Sequence, residues 1–116
     1  MLTPSSPARR RIPRLPSSGV WVYWEAHPHH DVSRVRDLSP AGLFLETRFR
    51  KSEGDVVQLH FLVQEGRIRA DANVRYATKG EGLGLQLRAV SPNDIPQFEE
   101  LLSRLRSFLP PSAFAY

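Results

Sequence analysis

In the run 67–77 apolar and polar side chains alternate without a break as far as Tyr76. Ile68, Ala70, Ala72, Val74 and Tyr76 point one way, and Arg67, Arg69, Asp71, Asn73 and Arg75 point the other. A side-chain period of two over this length predicts a strand with one buried and one wet face, as in an antiparallel sheet. One strand cannot bury its apolar face alone, so the rest of the chain has to supply partners for it.

Five further runs have that character. Residues 19–26 (GVWVYWEA) are β-branched and aromatic, with Val20, Val22 and Trp24 on one face and Trp21 and Tyr23 on the other. Two apolar faces predict that one looks into a core and the other meets a helix or a partner. Residues 27–31, rich in histidine, read as the turn that follows. A second strand is expected over 32–38, a turn over 39–42 and a third strand over 43–47. A charged loop at 48–54 leads to a fourth strand at 55–63, where Val57, Leu59, Phe61 and Val63 are in phase. Residues 64–66 turn the chain into the 67–77 strand. A glycine-containing turn at 78–82 then leads to a sixth strand at 82–87, with Leu83, Leu85 and Leu87 inward.

The pattern changes at Ser91. Ile95, Phe98, Leu101, Leu102, Leu105 and Leu109 fall on one helical stripe, with Glu99, Glu100, Arg104 and Arg106 outside it. Ser91 is expected as N-cap, Pro92 as the first helical residue and Asp94 as the third, completing a capping box; Pro110-Pro111 stops the helix. The expected fold is mainly β: a six-stranded antiparallel barrel with a C-terminal helix packed on it. Three segments are expected: a lead at 1–18, the barrel and helix at 19–109, and a tail at 110–116.

The length of 116 residues suits one domain. No apolar run is long enough to span a membrane, and no secretory pattern follows the basic N-terminus. Cytoplasmic location is the expectation. The absence of cysteine excludes disulfides, thiolate metal sites and a cysteine nucleophile.

The formal charge of +4 is carried on the basic side almost wholly by arginine, since only Lys51 and Lys79 are lysines. Arginine presents a planar fork that suits phosphate and the Hoogsteen edge of guanine. Four arginines (Arg9, Arg10, Arg11, Arg14) lie within six residues of the lead, among prolines that forbid a regular helix. Such a lead is expected to be mobile unless something holds it. The 37–42 turn, Asp37-Leu38-Ser39-Pro40-Ala41-Gly42, adds a carboxylate, a hydroxyl and a glycine. The carboxylate can accept from guanine N1–H and N2–H, the hydroxyl can bond a phosphate oxygen, and the glycine permits close approach or φ > 0. This set suits a guanine nucleotide better than a bare polyanion, for which Asp37 would be a liability.

The two motifs, in this order, resemble those of the PilZ domain. That family carries RxxxR in an N-terminal lead and (D/N)xSxxG at a strand junction. Here Arg10-Arg11-Ile12-Pro13-Arg14 fits the first, and residues 37–42 fit the second at every fixed position. The 67–76 strand, the Gly82-Leu83-Gly84-Leu85 run and the closing helix are similar too, so the resemblance covers residues 8–107. Asn73 departs from it, standing where relatives often carry glycine.

The resemblance implies a bacterial receptor for cyclic di-GMP. Arg10 and Arg14 would meet phosphates and guanine edges, with Arg9 as an auxiliary contact. Asp37 and Ser39 would hold a guanine and a nearby phosphate, and Gly42 would shape the turn. Ligand would order the lead over the barrel and alter the surface offered to an effector protein. A monomer or weak homodimer is expected, with no catalytic residue, cofactor or metal.

Two other readings compete. A barrel binding single-stranded nucleic acid could stack bases on Trp21, Tyr23 or Trp24, but the acidic turn and modest charge disfavour it. A PilZ-like scaffold without nucleotide could act through the outer aromatics of the first strand. His27, His29, His30 and Asp31 use a zinc vocabulary, yet their spacing is that of an exposed hairpin turn. No Ser-His-Asp, P-loop or dinucleotide-binding pattern supports catalysis.

Overall fold

The computed structural model describes residues 15–16 and 19–107. Among the described residues seven strands are formed: β1 (Leu15–Pro16), β2 (Trp21–Ala26), β3 (His29–Ser39), β4 (Gly42–Glu46), β5 (Val56–Val63), β6 (Gly66–Thr78) and β7 (Gly82–Val90). A 3₁₀ turn (Pro92–Asp94) leads into one α-helix, α1 (Ile95–Arg106). All pairings are antiparallel, in the order β3-β2-β5-β6-β7-β4, and β4 pairs again with β3. The result is a closed six-stranded barrel. The short β1 adds to β3, pairing with Leu38 and Asp37.

Closure depends on β3. Its first half pairs with β2 and its second half with β4, so one long strand serves two neighbours. Alternation fills the interior with Val22, Trp24, Val35, Leu38, Leu43, Leu45, Val57, Leu59, Phe61, Ile68, Val74, Leu83 and Leu85, all buried. The Trp24 indole N–H donates to Ser33 Oγ at 2.9 Å inside the barrel. Two glycines let strands approach: a Cβ on Gly42 would stand 2.3 Å from Leu85 O, and one on Gly82 would stand 2.1 Å from Leu45 O.

The helix buries Phe98, Leu101, Leu102 and Leu105 in the same core and packs on β1 and β6. Phe98 meets Phe61 at 6.1 Å between ring centroids. Arg104 bonds both carboxylate oxygens of Glu65 in the β5–β6 turn, tying the helix to that end of the barrel.

Four expectations need correction. His29 and His30 are not turn residues: they pair with Ala26 and Glu25, and the turn contracts to His27-Pro28. Tyr76 does not follow Val74 inward, because a register shift between them turns its ring out, 48% exposed. Asp94 makes no capping bond; its buried carboxylate accepts instead from Arg69 N–H at 3.0 Å and Arg69 Nε at 3.3 Å. Ile95 lies off the buried stripe and is solvent-exposed. The 3₁₀ turn explains the last two, since it rotates the helix start away from regular helical phase. The described helix ends at Arg106; the expected stop at Pro110-Pro111 and the expected stripe residue Leu109 lie outside the described residues.

Asn73 spans the β5–β7 side of the barrel. It donates to Gly54 O at 3.0 Å and accepts from Arg88 at 3.1 Å. The outer face of β2 is not covered by α1: Trp21 is 45% exposed, beside exposed Val32 and Leu62.

Candidate functional site at the β3–β4 turn

β3 carries Asp37 and Ser39, and β4 begins at Gly42. Ser39 and Gly42 are the closing pair of a hairpin whose turn is Pro40-Ala41. No residue of this turn has positive φ, so it lacks the twist that usually suits a two-residue hairpin. The buried Ser39 hydroxyl supplies the fastening. Its oxygen accepts from Ala41 N–H at 3.1 Å and Gly42 N–H at 3.2 Å. The hydroxyl proton has only a long contact to Gly42 O, 3.4 Å, and can turn to a better acceptor. Of the two roles open to Gly42, close approach is the one observed, and the backbone it approaches is Leu85.

The lead joins at the same place. Leu15 lies opposite Leu38 and Pro16 opposite Asp37. Arg14 is the residue before Leu15 in sequence. The two residues that follow the RxxxR segment in sequence therefore pair with the first residues of the DxSxxG motif, more than twenty positions further on. Arg9, Arg10, Arg11 and Arg14 themselves lie outside the described residues.

A register shift between Val35 and Asp37 changes what β3 presents. Val35 and Leu38 are buried, whereas Arg36 is exposed and Asp37 half-buried. Two successive residues thus face outward, as at a β-bulge. Asp37 pairs with Phe44, Phe44 with Gly84, and Gly84 with Tyr76. These four form one row across the outer face. Gly84 has no room for a side chain, because the Tyr76 ring lies 2.3 Å from where its Cβ would be. Phe44 and Tyr76 rings are 6.3 Å apart.

Arg36 covers this row. Its guanidinium carbon stands 4.2 Å above the Phe44 ring centroid. Nε bonds Glu46 at 3.2 Å, and one terminal nitrogen faces Glu81 at 3.6 Å. Sequence reading assigned neither Arg36 nor Tyr76 to the site. Arg36 stands just before the DxSxxG motif and outside it, and the written alternation of residues 67–76 puts Tyr76 inside the barrel.

The other sequence candidates are elsewhere. His29 Nδ1 lies 2.9 Å from Lys51 Nζ, and Lys51 also donates to Ala26 O. An ammonium on that lone pair leaves it unavailable as a metal ligand. Among the described residues no group of three or more His, Cys, Asp or Glu is arranged to hold a metal. Trp24 is fully buried, so it is no stacking platform. None of the helices among the described residues is long and apolar enough to cross a membrane.

Two carboxyls that fasten the helix, Asp94 and Glu65, are held below their ordinary values. Burial pushes the Asp94 carboxyl up, but bonds from Arg69 and the nearby Arg67 and Arg69 charges outweigh it and hold it below its ordinary value. The Arg104 bonds hold Glu65 down against its burial. These are structural pairings that fasten the helix.

Fold and site together define a class: a closed antiparallel barrel with a C-terminal helix, whose DxSxxG strand pairs with the short β1 that follows the RxxxR residues in sequence. The chain belongs to the PilZ domain family, whose sequence model matches residues 8–105 and so takes in both motifs. Among solved structures, the complex of K. pneumonia MrkH with c-di-GMP is similar at a TM-score of 0.67 and 18% identity, covering 85% of this chain and 52% of that one. A second structure, of MrkH as a c-di-GMP-dependent transcription regulatory factor, gives 0.63 at 19% identity, covering 87% and 52%. That likeness is one of fold, and this chain spans about half of each MrkH chain. No curated protein matches the chain.

Proposed function

We propose that the chain is a non-catalytic cyclic di-GMP receptor that signals to a protein partner. The observation that carries this reading is the β1–β3 register, which sets the end of the arginine lead against Asp37 and the Ser39 turn. Arg10 and Arg14, with Arg9 in support, take phosphates and guanine Hoogsteen edges by charge-assisted bonds. Asp37 accepts from a guanine Watson–Crick edge. Ser39 keeps its two backbone bonds and turns its proton to a phosphate oxygen. Gly42 acts through the turn and makes no ligand contact of its own. Ligand draws the lead onto the barrel. Because α1 packs on β1, the rearranged lead and the helix form one surface for an effector.

Titration calorimetry with cyclic di-GMP tests the reading. Losing one of several charge-assisted contacts should cost on the order of 2 kcal/mol, roughly thirtyfold in affinity. A second reading, a PilZ scaffold acting through protein contacts alone, is favoured by the uncovered Trp21, Val32 and Leu62 on the barrel wall. It predicts no nucleotide binding by the folded protein.

A further inference from the structure

The outer face of β3, β2, β5 and β6 is ordered in rows. Arg34, Trp21, Leu62 and Arg67 stand side by side in one row, and Val32, Tyr23, His60 and Arg69 in the next. All are exposed except Tyr23, which is half-buried. The middle of the face is thus apolar and aromatic, with Arg34 bounding it on β3 and Arg67 and Arg69 on β6. Over β5 the surface is concave: a groove of about 450 Å³ has Tyr23 on one side and Arg69 and Pro92 on the other.

The charge of this face is one-sided. No carboxylate among the described residues bonds Arg34. Arg67 and Arg69 share the one buried carboxylate of Asp94, at 3.7 and 3.3 Å, which leaves the pair net positive. Neither row has an exposed carboxylate between its ends; Glu25 and Asp71 begin in the row after. Glu46, beyond Arg34, is bonded by Arg36.

That arrangement selects among occupants. A second copy would set arginine against arginine across a two-fold axis. The chain's own lead is basic, and residues 108–116 have no acidic side chain. An extended peptide has no edge to join, because β2 and β5 are each paired on both sides. Nucleic acid would find cations, but Val32 and Leu62 beside Trp21 offer no ring for a base to stack on. A helix fits the spacing. Arg34 and Arg67 lie three strand spacings apart, about 14 Å, and a helix with its side chains is about 10–12 Å across.

We propose that this wall docks an amphipathic helix of a partner protein, laid along β2 and β5. Its apolar stripe rests on Trp21, Tyr23 and Leu62. Acidic residues on its two flanks meet Arg34 on one side and Arg67 and Arg69 on the other. This names the kind of partner for the signalling role proposed above. It does not rest on nucleotide binding, so the two readings fail separately.

The test titrates the wild-type chain, without nucleotide, with a helical peptide that carries a leucine stripe flanked by glutamates. Trp21 reports directly, since the other tryptophan, Trp24, is already buried. Its emission should move to the blue as the peptide covers it. Trp21→Ala and Arg34→Glu change exposed side chains and should melt like the wild type. They should bind the labelled peptide about thirtyfold and about tenfold more weakly. Leu62→Gln replaces Trp21→Ala should that variant fail to fold. The same peptide with lysines for glutamates should bind poorly to the wild type and better to Arg34→Glu. No emission shift at millimolar peptide, or equal affinity for the glutamate and lysine peptides, would overturn the proposal. So would an oligothymidylate that covers Trp21 more tightly than the peptide does. A wild type that sediments as a dimer where Trp21→Ala is a monomer would assign the wall to a second copy and overturn it too.

Discussion

Ser39 Oγ accepts the Gly42 N–H at 3.2 Å across the β3–β4 turn. One of the proposed ligand-binding hydroxyls is therefore also the fastener of its own hairpin. Ser39→Ala should lose stability as well as affinity. Two backbone N–H groups lose a partner in a turn without positive φ, which predicts a cost of about 1–2 kcal/mol in the ligand-free protein. Urea melts of the two apo proteins check this. An unchanged midpoint would mean that solvent replaces the hydroxyl without loss.

Gly42→Ala should be more severe. Its Cβ would stand 2.3 Å from the Leu85 carbonyl oxygen, which is backbone and cannot swing aside. Either β4 moves from β7 or the barrel opens locally, at about 2–3 kcal/mol or more. Gly80→Ala is the comparison: open space surrounds that glycine, and only its φ of +77° opposes the change, which predicts about 1 kcal/mol. Midpoints in the reverse order would contradict the close-approach account.

The helix should make the protein acid-sensitive. Asp94 and Glu65 both have folded-state pKa values below their ordinary ones. Their contribution is complete above the ordinary carboxylate range, near 4, and is lost as pH falls through the lowered folded values. Denaturant midpoints should therefore hold from about pH 7 to about pH 5 and fall below about pH 4. Asp94→Asn should lower stability at neutral pH and make the acid limb shallower. An acid limb of unchanged slope in that variant would contradict the assignment.

Much of the barrel was legible because its strands obey a period of two. Ile68 to Val74 is buried at every second residue as the alternation requires. The errors lie where register, rather than period, decides. Tyr76 follows the written pattern but not the folded one, since the shift after Val74 reverses its face. The DxSxxG turn was readable as a local string, while the row from Asp37 through Phe44 and Gly84 to Tyr76 draws on four strands. Arg36 was invisible for the same reason: its significance comes from a ring on β4 and a carboxylate beyond β6. Asp94 had the spacing of a capping residue, and only the fold shows that Arg69, twenty-five positions away, is its partner.

The most direct test of the central claim is calorimetric titration of cyclic di-GMP into the wild-type chain, Arg14→Ala and Asp37→Ala, with cyclic di-AMP as control. The account predicts micromolar or tighter binding to the wild type, with each substitution weakening it roughly thirtyfold at unchanged fold. It predicts much weaker binding of the adenine analogue, which offers Asp37 no N1–H and N2–H pair. No heat from a folded wild-type protein, or equal affinity for both dinucleotides, would contradict it.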